Sequence, residues 1–377
     1  MKWETVKLAD CCISIADGDH QPPPKADTGV PFVTISNINA SHQFDFSNTM
    51  FVPQEYYDRL DTKRRAQVGD VLYSVVGSFG IPVLITDNAP FVFQRHIAIL
   101  RPNERILPAF LFYTMLSSDF YSKADAAAIG AAQRTISLNA LRNMEIDLPP
   151  LEIQEEIVRK LSAYDNLFNN NQKQINLLEE AAQRLYKEWF IDLRFPGHET
   201  TLIHDGVPEG WQRCAVTDLL EIKYGKDHKT LSDGTIPVYG SGGIMRRVDR
   251  VLSSGESVLI PRKGSLNNIL YVTGDFWTID TMFYSIPKNP NVAKYMYLFL
   301  SRLDMYSFNI GAAVPSMTVK ILDGVSVLLP PAELLEIFER AVFPLFERKR
   351  MIAQQNETAA QARDRLLPKL MSGEIEV

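Results

Sequence analysis

Between residues 157 and 189, seam positions recur at alternating steps of four and three: Ile157, Leu161, Tyr164, Phe168, Asn171, Ile175, Leu178, Ala182, Leu185 and Trp189. That spacing keeps one face of a helix apolar over more than four heptads and predicts one long helix. A shift of 181 residues gives a second seam: Phe338, Val342, Leu345, Lys349, Ile352, Asn356, Ala359, Arg363, Leu366 and Leu370. Its Lys, Asn and Arg make it more polar, so the second helix must borrow apolar surface from a partner. Pro149-Pro150 and Pro330-Pro331 stand where proline is tolerated, at the first helical turn. Glu152, Glu155 and Glu156, and again Glu333, Glu336 and Glu339, complement the positive end of each helix dipole. Pro344 falls inside the second helix, where proline costs about 3 kcal/mol, and predicts a kink near Arg340.

Upstream of each helix the apolar runs shorten. Val30–Ile35, Val71–Val76 and His96–Leu100 read as short strands, as do Val258–Ile260 and Ile269–Val272. Pro108–Leu116 and Ala293–Leu300 read as helices. The same offset of 181 carries Leu148-Pro149-Pro150 onto Leu329-Pro330-Pro331, Gly130-Ala131-Ala132 onto Gly311-Ala312-Ala313, and Leu141 onto Leu322. Gly69-Asp70-Val71-Leu72 is echoed by Gly255–Leu259, Gly77-Ser78 by Gly264-Ser265, and Trp3 by Trp211. Ordered matches of this kind identify an internal duplication. The expected fold is α/β: two tandem α/β domains, 1–149 and 196–330, each followed by a long helix, 150–195 and 331–377. The two helices are expected to form an antiparallel coiled coil within a pseudo-twofold repeat.

Composition narrows the class. The 377 residues are 46% apolar and 22% charged, with no uninterrupted apolar span of membrane length and no apolar signal core after Met1. Cys11, Cys12 and Cys214 build no disulfide framework and no CxxC zinc pair, which points to a reducing, cytoplasmic setting. A net charge of −6 argues against coating nucleic acid nonspecifically. By segment the balance is −3 over 1–149, −3 over 150–199, +1 over 200–330 and −1 over 331–377, so positive charge is local. It gathers beside glycines at Lys226, Arg246-Arg247 and Arg262-Lys263-Gly264-Ser265, with Tyr239-Gly240-Ser241-Gly242-Gly243 as a flexible loop. In the first copy it gathers at Lys63-Arg64, Gln94-Arg95-His96 and Gln133-Arg134. Arg, Gln and His are side chains that read base edges or hold phosphates.

Catalytic signatures are missing. There is no GxxxxGK[ST] loop, no HExxH pair and no GxSxG elbow. Asp205 with Glu221 and Lys223 has the outline of a nuclease metal site but has no counterpart in the first copy. Read from residues alone, a duplicated DNA-binding regulator without a methylation partner, a metal-dependent nuclease, and a coiled-coil scaffold without nucleic acid stay open.

Taken together, the two α/β copies, the Leu-Pro-Pro helices, Pro149–Ile157, Tyr239–Ile244 and the ending Leu366–Ile375 resemble the specificity (S) subunit of type I restriction-modification systems. The resemblance covers nearly the whole chain. It implies a non-catalytic subunit whose two domains each recognise one half of a bipartite double-stranded DNA site. It implies helices that space the domains and dock two modification (M) subunits, with restriction (R) subunits as further partners and no membrane. No cofactor is expected on this chain, since S-adenosylmethionine belongs to M. The expected DNA-binding residues are the basic and polar ones just named. Asn171 and Asn356, facing each other when the helices are matched end to end (Ile157 opposite Leu370), are expected to set the register of the coil.

Overall fold

The computed structural model describes every residue except 1–2, 21, 40–41, 48, 131–133, 312 and 376–377. Gln133, Ala131, Ala132 and Ala312 of the sequence reading therefore lie outside the described residues. The chain divides into two compact units, Met1–Asn170 with Gln355–Val377, and Asn171–Gln354.

The first unit holds β1 (Glu4–Lys7), β2 (Cys12–Asp17), β3 (Val30–Val33), β4 (Met50–Val52), α1 (Gln54–Arg59), β5 (Val71–Ser74), β6 (Pro82–Leu84), β7 (Val92–Phe93), β8 (Ile97–Pro102), α2 (Pro108–Leu116), α3 (Ser118–Ala127), α4 (Leu138–Arg142) and β9 (Glu145–Leu148). An antiparallel sheet runs in the order β2-β8-β5-β6, a three-stranded sheet in the order β4-β3-β7, and β1 pairs with β9. Central β5 is buried at all four positions and β8 at its first four, because both faces are covered. That is why they read as continuous apolar runs, whereas edge strand β2 is mostly half-exposed.

Next comes α5 (Leu151–Tyr186), closed by a π-helical turn Lys187–Ile191. The second unit follows with β10 (Ile203–His204), β11 (Val207–Pro208), β12 (Gln212–Ala215), α6 (Val216–Leu219), β13 (Leu220–Tyr224), β14 (Asp233–Gly240), β15 (Gly243–Val248), β16 (Ser257–Pro261), β17 (Leu270–Val272), β18 (Trp277–Thr278), β19 (Met282–Pro287), α7 (Val292–Leu300), α8 (Val319–Asp323), β20 (Ser326–Leu329) and α9 (Ala332–Met371), whose residues from Gln355 onward count with the first unit. Its strand orders are β13-β19-β16-β17, β15-β14-β18 and β12-β20, element for element those of the first unit. Both units are mixed α and β, antiparallel except for β3/β7 and β14/β18.

The long helices contribute to both cores. In the first unit Ile157 and Leu161 of α5 and Leu367 and Leu370 of α9 join Leu8, Phe110 and Leu141. In the second, Ala182 and Tyr186 of α5 meet Phe338 and Val342 of α9 beside Trp211 and Tyr295. Within each unit the two helices therefore run antiparallel, and every seam position is buried or half-buried. Between the helices Asp165 pairs with Arg363 at 3.4 Å in the first unit, and Glu179 pairs with Lys349 in the second, where the Trp189 and Phe338 rings also meet with centroids 5.6 Å apart. α9 continues as one helix through Pro344 and Pro368. Pro344 and Arg340 are both exposed, so the missing backbone donor lies on the solvent-facing side of the helix.

Candidate nucleic-acid interface

Four segments of the first unit meet at one edge of its sheet: the ends of β2 and β5, the β7–β8 turn, and residues 134–136. Backbone bonds lock them together. Gly18 N–H donates to Ile97 O (3.1 Å), Asp19 N–H to Phe93 O (3.0 Å), Val75 N–H to His96 O (2.8 Å), Gly77 N–H to Arg134 O (2.9 Å) and Ile136 N–H to Val75 O (2.9 Å). Gln94, Arg95 and His96 form the turn itself. A cleft of about 320 Å³ opens there, with Asp17, Arg95, His96, Thr135 and Ser137 on its walls. A neighbouring cleft of about 490 Å³ is walled by Asp17 again, with Lys63, Arg64 and Arg142. Lys63 and Arg64 ride on a short 3-10 turn capped by Asp61, whose carboxylate accepts from Lys63 N–H. Arg64 stands 3.8 Å from Asp17 and 3.7 Å from Asp19, too long and too exposed to immobilise it. Asp17 also lies 2.6 Å from His20 Nε2.

Lys63, Arg64, Gln94, Arg95 and His96 thus come together around Asp17. Arg134 shares the backbone frame, but its side chain is occupied: it pairs with Asp125 and lies 5.4 Å over the Phe79 ring.

The second unit builds the same edge. Gly225 N–H donates to Met282 O (3.2 Å), Lys226 N–H to Thr278 O (2.8 Å), Arg262 N–H to Thr281 O (2.8 Å), Gly264 N–H to Pro315 O (2.9 Å) and Met317 N–H to Arg262 O (2.9 Å). Arg262 donates through Nη1 to the Asp280 carbonyl at 3.1 Å, and its guanidinium lies 5.4 Å over the Tyr224 ring. Lys263 Nζ is 4.0 Å from the Asp280 carboxylate. The β14–β15 turn joins this edge: Ser241 O accepts from Asn268 Nδ2 (2.8 Å), Tyr239 O from Ile279 N–H (3.0 Å), and a Cβ on Gly264 would stand 3.0 Å from Ser241 Oγ. Lys226, Tyr239, Ser241, Arg262, Lys263 and exposed Ser265 are thereby gathered. Arg246 and Arg247 are occupied along the β14–β15 ribbon. Arg246 pairs with Asp233 at 2.7 Å, and Arg247 donates to Thr235 O at 3.0 Å.

Sequence reading missed Asp17, Tyr224 and Asp280, which line these edges without being basic. It also missed the glycines that allow them. A Cβ on Gly18 would meet Phe93 O at 2.3 Å, and one on Gly225 would meet Ile279 O at 2.0 Å. The available signal was a strand ending in glycine in both copies.

Asn171 is buried and Asn356 half-buried on the helices. Glu221 and Lys223 pair with each other at 2.5 Å on β13, while Asp205 (φ 49°) sits in the separate β10–β11 turn. Among the described residues no three His, Cys, Asp or Glu are grouped to hold a metal. Burial pushes the thiol of Cys12 up to about 12, and that of Cys11 upward too, as expected for packing rather than redox cysteines. Among the described residues no helix is long and apolar enough to cross a membrane.

Comparison with known proteins adds a family. The family described as "Type I restriction modification DNA specificity domain" matches residues 1–180 and 208–338. The specificity subunit of the type I restriction enzyme MjaIX from Methanocaldococcus jannaschii is 25% identical over 73% of this chain and 71% of its own length. The putative MjaX specificity subunit of the same organism is 24% identical over 100% of this chain and 94% of its own. A crystal structure of a type I restriction-modification S subunit from M. genitalium superposes with a TM-score of 0.55 at 17% identity, covering 98% of this chain and 96% of that one, which is a likeness of fold.

Proposed function

Because this chain belongs to the type I restriction-modification DNA specificity family, and is therefore a non-catalytic recognition component, we propose that it reads a bipartite, asymmetric double-stranded DNA site, one half-site per unit. One observation carries the reading: the same hydrogen-bonded edge is built twice, from equivalent strands, with different side chains. A scaffold kept constant while its edge varies is what sequence readout requires, since phosphate contacts position and side chains at base edges specify. The reading assigns base or phosphate contacts to Lys63, Arg64, Gln94, Arg95 and His96 in one unit. In the other it assigns them to Lys226, Ser241, Arg262, Lys263 and Ser265.

In the same proposal α5 and α9 form an antiparallel coiled coil in a pseudo-twofold molecule, with Asn171 and Asn356 at one level of it. The coil spaces the units and docks two M subunits, joined by R subunits in a restriction complex. The methyl donor, S-adenosylmethionine, and the flipped adenine belong to M, so this chain needs no cofactor. The complex works in the cytoplasm, where the host DNA is. The test is to co-express the chain with its M subunit and map N6-methyladenine across the host genome. Two short defined sequences separated by a fixed unspecified spacer are expected. Methylation of an uninterrupted motif, or of none, overturns the reading.

A further inference from the structure

The two edges can be superposed position by position from their strand registers. Ala98 pairs with Asp17 and Phe283 with Tyr224, so Asp17 and Tyr224 are equivalent. Asp19 and Lys226 follow, each donating its N–H to the strand before the turn. Val75 and Val76 correspond to Arg262 and Lys263, because Val75 and Arg262 bond the equivalent carbonyls of His96 and Thr281 and the bridge Val76–Thr135 matches Lys263–Ser316. Arg95 then corresponds to Asp280. The frame repeats, but the charges exchange sides. Where the first unit carries Asp17, Asp19, neutral valines and Arg95, the second carries Tyr224, Lys226, Arg262-Lys263 and Asp280.

We infer that the two units read their half-sites with opposite lips of one notch. In the first unit Asp17, on the β2 lip, accepts from a base amino group while Arg95, on the turn lip, donates to a guanine. In the second unit Arg262, on the β16 lip, donates to a guanine and Asp280, on the turn lip, accepts. The chemistry follows from the groups present. A carboxylate in the major groove selects the cytosine amino group, and arginine pairs bidentately with guanine O6 and N7. Asp17 suits this role because it faces both clefts and, while His20 Nε2 holds its Oδ2 at 2.6 Å, its Oδ1 stands 3.8 Å from Arg64 and is left to accept. Arg262 suits it because the Tyr224 ring and the Asp280 carbonyl hold its guanidinium in place. A preorganised guanidinium loses less entropy on binding.

The inference rests on the bipartite reading proposed above and deepens it. The experiment is the methyladenine map of the full chain with M, for wild type, Asp17→Ala, Asp17→Asn, Arg95→Gln, Arg262→Gln and Asp280→Asn. Discrimination at one base is expected to fall about 5- to 150-fold per lost contact. Asp17 and Arg95 variants should act in one half-site, Arg262 and Asp280 variants in the other, with the spacer unchanged. Asp17→Asn should move the preference toward adenine, which an amide pairs bidentately, and it decides the matter should Asp17→Ala not fold. An intact motif with uniformly weaker methylation means that these side chains touch phosphate and overturns the inference while leaving the bipartite reading standing. A wild-type motif that is not bipartite overturns both.

Discussion

Gly18 and Gly225 show how much of a recognition edge depends on an absent atom. Each ends a strand against the turn that carries Arg95 or Asp280, with no room for a methyl group. Gly18→Ala should therefore push the β7–β8 turn away, destabilise the first unit by about 1–3 kcal/mol through overpacking, and weaken recognition of one half-site only. Hydrogen exchange read separately over β2 and the turn checks this; unchanged protection there refutes it. Lys294 is a second residue whose surroundings set its cost. It is 4% exposed, 2.6 Å from both Glu256 and Glu339, and within 6 Å of the Tyr271, Phe343 and Phe346 rings. Lys294→Met strands two carboxylates against each other and should cost about 2–4 kcal/mol in urea unfolding. Burial raises the Glu256 carboxyl, but hydrogen bonds from Lys294 and Tyr271 outweigh it and leave the folded value lowered. A depressed carboxyl contributes stability that is present above its unfolded value, near 4.3, and is lost as pH falls through the folded one. Glu256→Gln should accordingly lower stability at neutral and alkaline pH by a constant amount and flatten the acid limb of the profile, where the wild type loses the same contribution.

At the scale of elements, α9 carries Pro344 within an unbroken helix, exposed and outside the seam. Pro344→Ala restores a backbone donor and removes most of the roughly 3 kcal/mol that proline costs in a helix, less up to about 1 kcal/mol from a freer unfolded chain. A gain of about 2 kcal/mol in chemical denaturation is expected, and no gain would mean that the neighbouring residues already absorb the distortion. The long helices were legible because a heptad seam of alternating four- and three-residue steps, sustained through about thirty residues, has no competitor. So were the central strands β5, β8 and β16, whose burial on both faces leaves nothing but apolar side chains. The β14–β15 ribbon was not, since most of its positions are exposed or half-exposed and its alternation dissolves into Gly240–Gly243. The notch was legible only in part. Its basic members stand out in sequence, but Asp17, Arg95 and Thr135 come from three distant segments, and only strand pairing brings them to one cleft. Arg134 and Arg246 stand out in sequence in the same way, and folding places Asp125 and Asp233 beside them in exposed ion pairs.

At the scale of the molecule, the proposed coil has a consequence in base pairs. The 36 residues of α5 span about 54 Å, against about 34–36 Å for one turn of DNA. Four residues inserted in both α5 and α9 add about 6 Å while turning each helix by about 40°. The expected result is a spacer longer by one or two base pairs with both half-sites unchanged, read from the methyladenine map. A fixed spacer in an active complex would mean that the helices only dock M.

The division of the chain also bears on its birth. The second unit is a single uninterrupted stretch, but the first is closed by Gln355–Val377, whose Leu367 and Leu370 are 6% and 1% exposed beside Ile157 and Leu161. Domains ordinarily fold in the order they leave the ribosome. Here the portion synthesised first must wait for Gln355–Val377, so the later portion can mature earlier, and the nascent first unit spends that interval with an open core. Free chains truncated after Gln354 are expected to resist protease over 171–354 while being cut within 1–170, and chains extended through Val377 should be protected over both.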